Sequence, residues 1–220
     1  MDKVPLTPYD FLGYLASGVV LVAGMDLILG FPHVIDANLT GFQTAALLLL
    51  LYAAGHLIAT PAKTILEDRL TAKGLGPPAR TLLATKKPRI RSLLFPGYYA
   101  PLPTWARDAV RDKAGGKHGD ELFLFIRFTP AILESQNLQG RLAIFLNQYG
   151  FCRNLSFTSL LVGAALLLAP LAGMPPRMNT TKYAILLLVG GVLLFYRFLK
   201  FYRQYSAELL LTYARTPAQP

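Results

Sequence analysis

The chain has 220 residues, of which 53% are hydrophobic and only 15% charged. An ordinary soluble domain carries about 25% charged residues, so this chain lacks the polar side chains to cover a water-soluble globule, and it is too apolar for intrinsic disorder. Its formal net charge is nevertheless +10; scarce charge with a strong basic excess favours a membrane protein with cationic cytoplasmic parts over a nucleic-acid-binding domain.

A spanning helix needs about 20 mostly apolar residues, because ~30 Å of hydrocarbon is crossed at about 1.5 Å per residue. The first such segment runs from about Phe11 to Gly30 and holds one charge, Asp26. Asp2, Lys3 and Asp10 precede it and no clean small-x-small cleavage pattern ends it, so it is expected to stay as an anchor rather than leave as a signal peptide. The second segment runs from about Phe42 to Ala59. The link between them, Phe31 to Gly41, has no Lys or Arg.

Residues 61–156 form a basic insert. Thr60-Pro61 reads as an N-cap with proline at the first helical position, opening a helix PAKTILEDRLTAK that Gly74 stops; if the helix instead continues through Pro61, the proline kinks it. The stretch GLGPPARTLLATKKPRIRS is expected to be irregular, broken by Pro77, Pro78 and Pro88. FPGYYAPLPT is aromatic and proline-rich, and Thr104 is placed to cap a short helix from Trp105 to Lys113. DELFLFIRF begins with acids, as a helix N-terminus prefers, and Pro130 with the following AILE also favours helix. From about Leu138 the chain is helical again, with Leu142, Phe145 and Tyr149 on one face.

The third apolar segment runs from about Phe157 to Leu171 and the fourth from about Tyr183 to Phe198. Nothing between Leu142 and Leu168 breaks a helix, Gly150 being tolerated, so the third helix is expected to begin well outside the bilayer. Phe198, Tyr202, Tyr205, Leu209 and Tyr213 continue the fourth as one apolar stripe to about Ala214. Two settings suit that stripe: a stalk projecting about 20 Å beyond the bilayer, or an interfacial helix lying on the headgroups.

The insert carries fifteen Lys or Arg against seven acids, so it supplies +8 of the net +10. Arg197, Lys200, Arg203 and Arg215 add to the tail. The positive-inside rule then places the insert and both termini in the cytoplasm. The expected fold is an all-α membrane protein. Two transmembrane hairpins, four transmembrane helices in all, flank a mainly helical cytoplasmic insert; helices 3 and 4 extend into the cytoplasm. The divisions are residues 1–60, 61–156 and 157–220.

Candidate chemistry is sparse. Asp26 and His56 are the intramembrane ionisable residues, candidates for function by default. Counting along antiparallel helices separates them by about 15 Å along the membrane normal, which excludes a direct proton relay. A carboxylate reaching the outer interface and an imidazole hydrogen-bonded between helices are the plainer roles. The run containing Lys86, Lys87, Arg89 and Arg91 suits anionic headgroups first, then an anionic ligand or a partner protein, and nucleic acid least. His118 beside Asp120 and Glu121 reads as a polar loop opening a helix. The chain has no GxxxxGK[ST], HExxH, GxSxG or Cys/His zinc cluster, and its single cysteine, Cys152, builds neither a disulfide nor a metal site. No catalytic residue, metal or cofactor is assigned. Small residues, among them Gly13, Ser17, Gly24, Gly55, Gly163, Ala164, Gly190 and Gly191, mark helix contacts within or between subunits.

Three phrases carry a resemblance: Tyr9-Asp10-Phe11-Leu12-Gly13-Tyr14-Leu15; Gly55-His56-Leu57-Ile58 with Ile65-Leu66-Glu67; and Phe151-Cys152-Arg153-Asn154-Leu155. They resemble small bacterial four-helix inner-membrane proteins, some of which accompany anti-phage defence genes. The departure is Ala16-Ser17-Gly18, where a proline-glycine pair would be expected. The paired hairpins, small-residue faces and basic insert point to a non-enzymatic oligomeric membrane sensor or pore-forming, membrane-perturbing effector, whose insert binds a signal, a partner protein or an anionic ligand. A membrane-bound enzyme acting on lipid through His118, Asp120 or His56 is the alternative, and a small transporter the third.

Overall fold

The computed structural model describes residues 8–29, 39–85, 88–115, 117, 119–127, 129, 141–173 and 179–215. Every regular element among them is helical. Helix α1 is Pro8–Leu29 and α2 is Gly41–Ala62. Thr40 caps α2 reciprocally: its hydroxyl accepts the Gln43 N–H, and its own N–H donates to the Gln43 side chain. Pro61 starts no new helix. It lies inside α2, and the chain passes directly into a π-helical segment, Lys63–Leu75. A proline there has no N–H to give residue 57 and crowds its carbonyl, and the wider turn follows at once. The segment ends at Gly76, whose φ of +89° is open to glycine and strained for other residues.

The stretch expected to be irregular holds two short helices, α3 (Pro78–Leu83) and α4 (Arg89–Leu94). Its prolines occupy helix starts: Pro77 at the N-cap and Pro78 inside it for α3, Pro88 at the N-cap for α4. At the first turn a missing N–H costs nothing, because that donor has no intrahelical acceptor. Helix α5 is Thr104–Lys113, with Pro103 in the cap position and no side-chain cap, so Thr104 does not have the expected capping role. Helix α6 is Gly119–Arg127; the expected continuation through Pro130 and AILE lies outside the described residues. Helix α7 runs Arg141–Leu168 and closes in a 3-10 turn, Ala169–Ala172. Helix α8 runs unbroken from Thr180 to Arg215.

Among the described residues, four helical stretches are long and apolar enough to cross a membrane: Phe11–Leu29, Gly41–Leu83, Arg141–Ala172 and Thr180–Arg215. The chain divides into two compact units, Met1–Glu67 with Gly150–Phe198, and Asp68–Tyr149 with Leu199–Pro220.

Unit one is built on backbone contact. A Cβ on Gly18 would lie 1.7 Å from the Leu51 carbonyl oxygen, and one on Gly55 would lie 1.8 Å from that of Tyr14. Only glycine admits this approach, and it sets α1 antiparallel to α2. Gly13 meets Phe151 and Gly24 meets Val162, so α1 and α7 run parallel in register. Gly191 lies on Leu160, Gly163 on Ala184 and Leu188, and the Ser156 hydroxyl donates to the Gly191 carbonyl at 2.8 Å, setting α8 antiparallel to α7. The two hairpins therefore point the same way. Gly190 faces open space. Phe42, Leu49, Leu50, Leu57, Ile185, Leu186 and Leu193 are all exposed, a surface that water penalises and a bilayer does not.

Unit two has an aqueous-type core. Leu82, Leu102, Ala106, Val110, Leu122, Ile126 and Leu142 pack against Tyr205, Leu209, Leu210 and Tyr213. The C-terminal part of the stripe is thus covered by protein, which removes the interfacial-helix setting for it. Side chains hold backbone carbonyls around this core. Lys113 Nζ donates to the carbonyls of Tyr213 (3.2 Å) and Ala214 (2.6 Å), satisfying the otherwise unpaired end of α8, and the Tyr213 hydroxyl returns a bond to the Lys113 carbonyl at 3.0 Å. Arg203 donates to the Ala100 carbonyl at 2.7 Å. Tyr98 and Tyr99, both buried, donate to the carbonyls of Gly76 and Leu75.

The glycine contacts predict that Gly55→Leu, which overpacks the crossing by about 1–3 kcal/mol, lowers the melting midpoint by roughly 5 °C. Gly190→Ala should leave it unchanged. A thiol-reactive fluorophore reporting on buried Cys152 reads both. Burial pushes the Tyr98 phenol well above the usual tyrosine range, helped by Tyr202 and Tyr99; burial also raises Tyr99, opposed by Arg91 beside it. A phenol raised on folding contributes stability that is complete below the unfolded value of about 10 and is lost as pH rises towards the folded one. Unit two should therefore weaken above about pH 10. Tyr98→Phe should flatten that fall while costing about 1 kcal/mol at neutral pH for the lost hydrogen bond, measured by chemical denaturation across pH.

Candidate functional site

Two polar features distinguish unit one from a plain apolar bundle. The first surrounds His56. Its ring stacks on Tyr14, with centroids 3.8 Å apart and planes 17° from parallel. Tyr52 sets its edge against both rings, at 4.7 Å from His56 and 5.9 Å from Tyr14, and Phe11 stacks on Tyr52 at 5.2 Å. Helical spacing creates the group: Tyr52 and His56 are four apart on α2, and Phe11 and Tyr14 three apart on α1, so each pair shares a face. Gly55, next to His56, brings the two backbones close enough for the rings to meet. His56 thus joins the helices through ring faces. The hydrogen bond between helices expected of it is not found among the described residues.

Asp26 lies twelve residues beyond Tyr14 on α1, about 18 Å along the axis, so the structure keeps it apart from His56 as the sequence predicts. Its Oδ1 is buried and has no hydrogen-bond partner among the described residues. At that separation the two do not form an acid–base pair with each other.

The second feature is an ion pair. Arg153 on α7 donates through Nη1 to Glu67 Oε2, and both side chains are only 12% exposed. Its Nε and Nη2 donate to Asn154 Oδ1 at 3.2 and 3.1 Å. Asn154 is buried, and its carbonyl accepts from the Thr158 hydroxyl at 2.9 Å. Glu67 is twelve residues past Gly55, about 18 Å if the helix were straight. Arg153, however, is two residues from Phe151, which packs on Gly13 beside the Tyr14–Gly55 contact. Pro61 and the start of the π-helical segment, both established causes of helix bending, lie between Gly55 and Glu67. Sequence reading missed this pair, because Glu67 and Arg153 are 86 residues apart and read singly as charges near helix ends.

In the basic run, Lys86, Lys87 and the Arg89 side chain lie outside the described residues. Arg89 is the first residue of α4, and Arg91 is exposed beside the Tyr99 phenol. His118 also lies outside them; Lys117, next to it, sits 4.6 Å over the Phe125 ring. Among the described residues no three His, Cys, Asp or Glu come together as a metal site.

Glu67→Gln should take the opposite charge away from the largely buried Arg153 guanidinium, costing about 3 kcal/mol. The exchange Glu67→Arg with Arg153→Glu should recover part of that loss. A double-mutant cycle read by Cys152 labelling in denaturant checks the coupling; additivity of the single changes would show that the pair contributes nothing.

No known protein family matches the chain, and neither does any curated protein or solved structure.

Proposed function

We propose that this chain is a non-enzymatic multi-pass protein of the bacterial inner membrane, an oligomeric sensor or membrane-perturbing effector whose basic second unit faces the cytoplasm. There the second unit receives a signal, either a partner protein or an anionic ligand. The observation that carries the reading is the contrast between the two units. One presents a broad apolar exterior and packs through glycine contacts. The other buries an apolar core and holds most of the basic surplus. Helix α8 contributes to both, so a change in the packing of one has a covalent route to the other. The fifteen cations of residues 61–156 support the cytoplasmic placement, and a role in anti-phage defence fits the same design.

Three measurements test the reading. In a Cys152→Ser background, Asp36→Cys should react with an impermeant thiol reagent from outside, and Lys87→Cys only after the membrane is opened; the reverse pattern would invert the topology. Strong expression should dissipate the membrane potential reported by a voltage-sensitive dye, and cross-linking in the membrane should give species larger than a monomer. An unchanged potential removes the pore-forming version, and a purified monomer alone removes the oligomer. If His56→Ala or His118→Ala abolished the effect with assembly intact, a lipid-acting enzyme would replace this reading.

A further inference from the structure

Helix α4 exposes more apolar side chain than any other described part of unit two. Ile90 is 82% exposed, Leu93 83% and Leu94 63%. They stand at i, i+3 and i+4, which places them on one helical face. Position 91 lies about 100° from Ile90, so the exposed Arg91 borders that face. Lys86 and Lys87 come just before in sequence. A short apolar face edged by cations is the composition of a helix that lies in the headgroup region of a membrane.

The exposure of α4 is imposed by its support. Ser92 and Phe95, on the other side, are half-buried. The Phe95 N–H donates to the Arg91 carbonyl and the Tyr98 N–H to the Phe95 carbonyl, which ties the helix to a turn. That turn is fixed by buried Tyr98 and Tyr99, whose hydroxyls grip Gly76 and Leu75 at 2.7 and 2.8 Å. An anchored base thus holds three aliphatic side chains outward.

We infer that α4 is a membrane-docking element, inserting Ile90, Leu93 and Leu94 into an anionic leaflet while Arg91 engages headgroup phosphates. Charge complementarity favours this occupant, since each basic residue near an anionic surface adds to binding. A protein partner is disfavoured by size: three side chains on a six-residue helix fall short of the roughly 800 Å² per partner that a stable interface buries. The inference rests on the chain being a membrane protein with unit two on the anionic side.

Trp105 is the single tryptophan, so Trp105→Phe clears the background for a new probe. The full chain carrying Trp105→Phe and Leu93→Trp is reconstituted into vesicles of phosphatidylglycerol and phosphatidylcholine with brominated acyl chains. A second protein carries Trp105→Phe and Leu186→Trp, placing the probe on the apolar exterior of unit one. Docking predicts that bromine quenches about half or more of the Leu93→Trp emission, and that quenching weakens when phosphatidylglycerol is left out. Quenching of the Leu186→Trp probe with none at Leu93→Trp overturns the docking element and leaves the membrane reading standing. No quenching at either overturns both. Blue-shifted but unquenched Leu93→Trp emission overturns docking in favour of a second copy covering α4.

Discussion

In hydrocarbon, burying one more leucine gives helices no reason to associate, because lipid tails are as apolar as the side chain. The packing of unit one must therefore come from close contact, and it rests on the crossing where Gly18 lies against the Leu51 carbonyl and Gly55 against that of Tyr14. The crossing fixes α1 against α2 and brings His56 onto Tyr14.

Unit two follows the opposite logic with the same chain. Its helices are short, and several begin at prolines. They hold together by removing apolar surface from water around Tyr205, Leu209 and Tyr213. Its basic residues are structural in part. Lys113 and Arg203 donate to main-chain carbonyls, and Arg107 and Arg111 hold those of Ala84 and Leu83. The positive charge that suggests a cytoplasmic address in the sequence is also material from which this unit is assembled.

The apolar segments were legible because length and composition alone define a spanning helix. The unbroken course of α7 and α8 was legible because nothing between Leu142 and Leu168, or around Arg197, interrupts them. The proline-rich stretch was misread because proline stops a helix from within and starts one from its first turn; position relative to the cap decides, and composition does not show it. The continuity through Pro61 stayed open for the same reason. Of the candidate site, Asp26 and His56 were identifiable as ionisable residues in apolar surroundings. The stacking of His56 on Tyr14 and the pairing of Glu67 with Arg153 were not, since each depends on which helices become neighbours.

The seam between α1 and α7 carries one more consequence. Its two contacts, Gly13 with Phe151 and Gly24 with Val162, are each separated by eleven residues, close to three whole turns of helix. An eleven-residue period keeps a facing stripe nearly straight, with only a slight right-handed drift. One residue inserted between Gly13 and Gly24 would rotate everything beyond it by about 100° and turn one glycine away from its partner. The spacing from Gly13 to Gly24 is therefore held more tightly than the composition between them: many of the apolar residues there can be exchanged for one another, but none can be added or removed without breaking the seam.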